Sequence, residues 1–174
     1  MNWNGIVKRV FLVKSMEKSV CPICMGKLEI IGSRRRYVID ATGCRKILVV
    51  RRMRCLNSVC RRIHHELPDI LVPYKIHAAE ILEKIIEKDT QEVPLEESTI
   101  QRIRNWFYHR ADALVGGLIG VYTVLNKGSG IDLSTLPRSI LTRIHFFVDK
   151  SSGWLKRLVR ILVNNNYWIH TQLV

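Results

Sequence analysis

"KLEIIGSRRRYVIDATGCRKILVVRRMRC", Lys27 to Cys55, is two runs of strand-forming residues joined by "DATG". Ile, Tyr, Val and Leu fill both arms, and Asp40 and Gly43 are turn formers, so the stretch predicts a two-stranded hairpin. A hairpin this polar cannot build a core by itself. Its open end is where help is available. Cys21 and Cys24 of "CPIC" precede the first arm, and Cys55 and Cys60 of "CLNSVC" close the second.

The C-x-x-C spacing lets two thiolates on a tight turn reach one ion, with Gly26 just behind to permit the turn. Four residues between Cys55 and Cys60 is the wide end of the range for structural zinc sites. Thirty residues separate Cys24 from Cys55. That is enough for an out-and-back hairpin that returns the chain beside its start. Two knuckles clamping one tetrahedral ion at the open end of a hairpin is the logic of a zinc ribbon. Cys21, Cys24, Cys55 and Cys60 are therefore the expected ligands of a structural Zn2+, whose binding would supply folding free energy. Iron remains open, because iron–sulfur clusters also use four cysteines. A ligand set in which His64 or His65 replaces a cysteine also stays open, although four cysteines leave no vacancy. Neighbouring histidines on an extended chain point to opposite sides. A redox role for "CPIC" lacks the βαβ setting such motifs need, and Cys44, at the turn, reads as a bystander.

The charge points to a polyanion. Lysines and arginines number 28 against 15 acids, a formal net charge of +13. From Lys27 to Arg62 the bases face only Glu29 and Asp40. Arg34, Arg35 and Arg36 on one strand and Arg51, Arg52 and Arg54 on the other predict a continuous guanidinium surface, extended by Arg61 and Arg62. Such a surface neutralises phosphates whatever the sequence. Nucleic acid is the expected partner, DNA ahead of RNA, and no membrane. The longest uncharged run, Ala113 to Asn126, is short of a spanning helix and broken by glycines. "MNWNGIVKRVFLVKSMEKS" has no cleavage site of secretory type. A cytoplasmic location, with reduced thiols, is expected.

After Pro73 the apolar period becomes helical, giving an α+β class: a small N-terminal zinc-ribbon hairpin followed by a mainly α-helical part. Ile81, Leu82, Ile85 and Ile86 form one stripe. "KDTQEVPLEE" connects it to a helix that Ser98 and Gln101 would start as a capping box. Ile100, Ile103, Trp106 and Phe107 mark that helix's apolar face. Gln101, Arg102 and Asn105 lie on the other, where they would read bases as the recognition helix of a helix-turn-helix. The connector is long for that motif unless "VPLEE" forms a short middle helix. Further helices are expected at about 111–125, 137–148 and 154–163, so the domains read as 1–72, 73–110 and 111–174. "GGLIG" matches no nucleotide-binding fingerprint and reads as close helix packing.

"CPIC", "IGSRRRYVID", "RRMRC", "IHHELPDILVPYK", "ESTIQRIRNWF" and "NNNYWIHTQ" together resemble an uncharacterised family of bacterial proteins, mostly from Firmicutes. Its members join a cysteine-knuckle module to a helix-turn-helix segment and are associated with mobile elements. The first module is also similar to the zinc-finger segment that opens some insertion-sequence transposases. The resemblance implies metal binding by the four cysteines and DNA binding by the hairpin and the helix at Ser98, in a transposon or phage accessory factor or a transcriptional regulator. A second copy or a transposase would be the protein partner. It implies no enzyme activity. The alternatives are an RNA-binding zinc ribbon and, more weakly, a nuclease or recombinase-like enzyme, for which Asp112, Asp132 and Asp149 are too scattered.

Overall fold

The computed structural model describes residues 10–16, 18–128 and 130–168. Most of the N-terminal stretch read as lacking a secretory signal, and the last residues of "NNNYWIHTQ", lie outside them. Among the described residues four strands precede five α-helices: β1 (Val10–Leu12), β2 (Leu28–Ile39), β3 (Arg45–Cys55), β4 (Ile63–His65), α1 (Ala79–Ile86), α2 (Glu97–Tyr108), α3 (Ala111–Leu125), α4 (Ile140–Val148) and α5 (Trp154–Asn164). The class is α+β, as expected. The chain divides into two compact units, one ending at Ala78 and the other beginning at Ala79.

In the first unit β2 and β3 form the hairpin. Asp40 organises its turn: the carboxylate accepts from the backbone N–H groups of Thr42 and Cys44 and from the Thr42 hydroxyl. Gly43 closes the turn with φ +79°, which glycine adopts without steric cost. The antiparallel register runs from Ile39 opposite Arg45 to Leu28 opposite Cys55, and slips once between Ile30 and Gly32. Ile31 is thus the extra residue of a β-bulge. The sheet is larger than a hairpin. The free edge of β3 is shared end to end by β1, parallel against Ile47 to Val49, and β4, antiparallel against Arg52 to Arg54. Three-residue strands carry too little alternation to be read from sequence. Among the described residues one core cluster joins Val38, Leu48, Val50, Leu71 and Ala78, with Val13 and Leu67 packed against them.

The second unit is built on apolar helix faces. Ile81, Leu82, Ile85 and Ile86 of α1, Ile100, Ile103 and Phe107 of α2, and Trp154, Leu155, Leu158, Val159 and Leu162 of α5 are all buried. Each large side chain of this kind contributes about 1.5–3 kcal/mol by leaving water. Phe107 meets Trp154 edge-on at 5.9 Å. On α3, a Cβ on Gly117 would lie 2.9 Å from Leu162 Cδ2, and one on Gly120 would lie 3.0 Å from the Tyr167 ring. "GGLIG" is therefore the close helix packing it was read as. Glu83 of α1 is buried, and its carboxylate accepts from the backbone N–H groups of Gly153 (2.7 Å) and Leu155 (3.0 Å), capping α5. Glu87 accepts from the Trp154 indole at 2.9 Å.

Some helix starts differ from expectation. Helix α2 begins at Glu97, after Glu96, and no side chain caps it. Ser98 is thus inside the first turn, and Gln101 donates instead to Asn105 one turn on. Pro137 stands outside α4, whose preceding residue Ser139 is extended, and its carbonyl accepts from the Arg143 guanidinium. Between α1 and α2 "VPLEE" is not helical. Leu95 donates to Val93, a tight local bend that replaces the middle helix. Arg104 and Tyr108 of α2 reach the carbonyls of Ile85 and Ile86, satisfying the C-terminal end of α1. Among the described residues no helix is long and apolar enough to cross a membrane.

Candidate metal centre and basic face

Each cysteine pair sits on a knuckle whose backbone is tied to itself. In the first, Met25 donates to the Cys21 carbonyl at 2.8 Å and Cys21 to that of Gly26 at 2.9 Å, with Met25 left-handed at φ +57°. In the second, Asn57 is the organiser. Its carbonyl accepts from Cys60 and Arg61, its side-chain oxygen accepts from Val59, and Arg61 takes the left-handed turn. Cys55 donates to Arg62 at 2.9 Å, closing that loop as Gly26 closes the other.

The four sulfurs converge, with ligand atoms all within 4.8 Å of one another. Cys21 Sγ is 3.7 Å from Cys60 Sγ, and Cys24 Sγ is 3.4 Å from Cys55 Sγ. Four thiolates at about 2.3 Å around a tetrahedral ion stand about 3.8 Å apart. The spacing fits such an ion. Cys21 and Cys55 are buried, while Cys24 and Cys60 are partly exposed. Burial pushes the Cys55 thiol up to about 12. Cys21 is held down at about 6: burial opposes ionisation there, and the backbone N–H groups of Cys24 and Ile23 outweigh it. Cys21 ionises readily while Cys55 and Cys60 resist, held up by burial and by the sulfurs beside them. A cation would bind with release of the remaining protons. Cys44 lies outside the group, exposed on the hairpin turn.

Gly26 does more than permit a turn. A Cβ there would lie 3.1 Å from Cys55 Sγ and 3.2 Å from Cys24 Sγ, so its missing side chain makes room for two ligands. His64, half-buried on β4, brings Nε2 to 3.3 Å from Cys21 Sγ, where it supports a ligand without joining the four. Spacing alone gives no hint of either contact.

The arginines are less uniform than the sequence suggests. The Arg51 guanidinium is held by the buried Glu66 carboxylate, Nε to Oε2 at 2.6 Å with a second bond from Nη2, and Ser15 N–H also donates to Glu66. That bidentate pair keeps Glu66 below the usual carboxylate range. Asp40 is likewise held low by Lys46 at 2.7 Å. With those acids engaged, Arg34, Arg35, Arg36, Arg52, Arg54, Arg61 and Arg62 form no ion pair with any described residue. In the second unit Gln101, Arg102 and Asn105 are exposed on one side of α2.

Comparison with known proteins gives one finding at the level of family. Residues 21–103 match the domain of unknown function DUF6431. The match opens on the first cysteine and ends within α2, so it takes in all four sulfurs. No curated protein and no solved structure matches the chain.

Proposed function

We propose that this is a zinc-containing DNA-binding protein, an accessory factor of a transposon or phage or a transcriptional regulator. Zinc suits four thiolates as a borderline-soft d10 ion with no redox chemistry, and its role is to hold the two knuckles together. Arginines on one face of the hairpin bind phosphates, and Gln101, Arg102 and Asn105 contact base edges, Arg to guanine and Gln or Asn to adenine. One observation carries the reading: arginines that form no ion pair with any described residue line the same hairpin unit that holds a four-sulfur group, in a chain of net charge +13. So many like charges repel one another until a polyanion neutralises them.

The test has two measurements. Elemental analysis of purified protein is expected to give one zinc per chain; iron with visible charge-transfer absorbance, or no metal, overturns the zinc assignment. Anisotropy titration of a labelled duplex is expected to show affinity falling steeply between 50 and 200 mM salt, with a log–log slope of up to about −5 for six arginine–phosphate contacts. Tighter binding to single-stranded RNA than to duplex DNA replaces the reading with an RNA-binding one.

A further inference from the structure

A strand sends successive side chains to opposite faces, so the register sorts the hairpin arginines. Arg36 stands opposite Leu48, Arg34 opposite Val50, and Gly32 opposite Arg52; these positions share one face. Arg35, opposite Val49, and Arg51, opposite Ser33, belong to the other. The continuous surface expected from sequence is therefore divided. On the second face Arg51 is already neutralised by Glu66.

The first face is extended by β4, where His65 pairs with Arg52 across the strands. Gly32 adds no side chain to that row, and nothing lies within 4 Å of where its Cβ would be. Leu48 and Val50 on this face are buried in the core, so its open part is the end at Gly32, Arg52 and His65, with Arg34 and Arg36 beside it on the outer strand β2. The groups facing His65 are Arg34 and Arg36 from β2, Arg52 from β3 and His64 from its own strand, with Glu66 turned to the opposite face toward Arg51. Its imidazole is held below its ordinary value by burial first and then by those three arginines. In the free protein a proton there is repelled; a bound phosphodiester would reverse that balance.

Building on the DNA-binding reading, we propose that Arg34, Arg36, Arg52 and His65 form a single phosphate-gripping face. The nucleic-acid backbone lies over the Gly32–Arg52–His65 row, beyond the core that covers Leu48 and Val50 on the same side of the sheet, and His65 takes up a proton as the phosphate docks. The face positions and shields the backbone contact; it reads no bases.

The test is anisotropy of a fluorescein-labelled duplex of about 20 base pairs from 50 to 200 mM KCl, with metal content and circular dichroism checked for each variant. Arg34→Gln and Arg52→Gln are each expected to lower the salt slope by about 0.9, while Arg35→Gln, an exposed arginine on the same strand, leaves it unchanged. Wild-type affinity is expected to rise as pH falls across about 7.5 to 5.5, by up to about tenfold per pH unit for one proton, and His65→Gln is expected to flatten that rise. If Arg35→Gln costs as much as Arg34→Gln, the single face is wrong although the protein binds DNA. A pH dependence that survives His65→Gln refutes the role of His65. Absence of duplex binding by the wild type refutes the DNA reading itself, and this face with it.

Discussion

Replacing Gly26 with alanine adds one methyl group between two ligand sulfurs. The new carbon would lie 3.1 Å from Cys55 Sγ, 3.2 Å from Cys24 Sγ and 3.4 Å from Asn57 Cβ. Non-bonded carbon atoms settle at about 3.5–4.0 Å, and sulfur is larger, so both sulfurs must retreat by about 0.5 Å. Ligand bonds in metal sites hold to within about 0.2 Å, which makes that displacement more than the centre absorbs without loss. Gly26 is not among the positive-φ glycines, so alanine meets no backbone strain and the effect isolates crowding. Disturbing the support around metal ligands typically costs about 10- to 100-fold in affinity, roughly 1.4–2.7 kcal/mol. Competition of the apo-protein with a chromophoric zinc chelator at neutral pH measures this directly. A Gly26→Ala affinity within about threefold of wild type would refute the geometric argument, because it would mean that the two knuckles can part freely.

Three other outcomes follow from contacts described above. Glu83→Gln keeps the size of the α5 cap but loses its charge and one acceptor; it is expected to lower stability by about 1–3 kcal/mol and the melting temperature by about 4–8 °C per kcal/mol, and an unchanged melt would show that water replaces the cap. Because Glu66 is held below its ordinary value, its contribution is present above about pH 4.5 and is lost as pH falls through the lower folded-state value. Denaturant midpoints from about pH 7 to 3 should therefore fall for wild type and stay flatter for Glu66→Gln below about pH 4.5; parallel curves would count against the pair. Finally, Gly116 and Gly117 should respond to alanine with opposite signs. Position 116 is open and gains up to about 1 kcal/mol of helix propensity, whereas position 117 meets Leu162 and Tyr167 and loses about 1–3 kcal/mol, as paired thermal melts would report.

What was legible in the sequence is what short-range pattern encodes. The hairpin followed from two β-forming runs about a turn, the four-sulfur group from paired cysteines, and the buried stripe of α5 from its 3.6-residue period. Helix α3 matched its uncharged run. The misses arise from longer range or from competition. Strands β1 and β4 exist because β3 has a free edge, a property of the sheet and not of their own three residues. Arg51 looked like its neighbours until Glu66, fifteen residues on, folded back against it. Glu83 reads as an ordinary surface position of an amphipathic helix; its partners lie 70 and 72 residues away. Ser98 had the right spacing to Gln101, but the helix starts a residue before it, and Gln101 found Asn105 instead. The arginine cluster was visible as composition, while its division into faces required the register that the Asp40 turn imposes.

The bulge at Ile31 has a consequence for the length of the two arms. β2 holds 12 residues and β3 holds 11, and the ladder between them is pinned at both ends, by the turn at one and by the sulfurs at the other. With equal arms Leu28 would face Leu56, and the second knuckle would be out of step by one residue, about 3.4 Å. That error exceeds the length of a metal–thiolate bond, about 2.3 Å. Ile31 works as a shim between two fixed stops. Arm length is therefore a quantity the four-sulfur group checks: a single-residue insertion or deletion in either strand should be tolerated only when the other arm, or the bulge, changes with it.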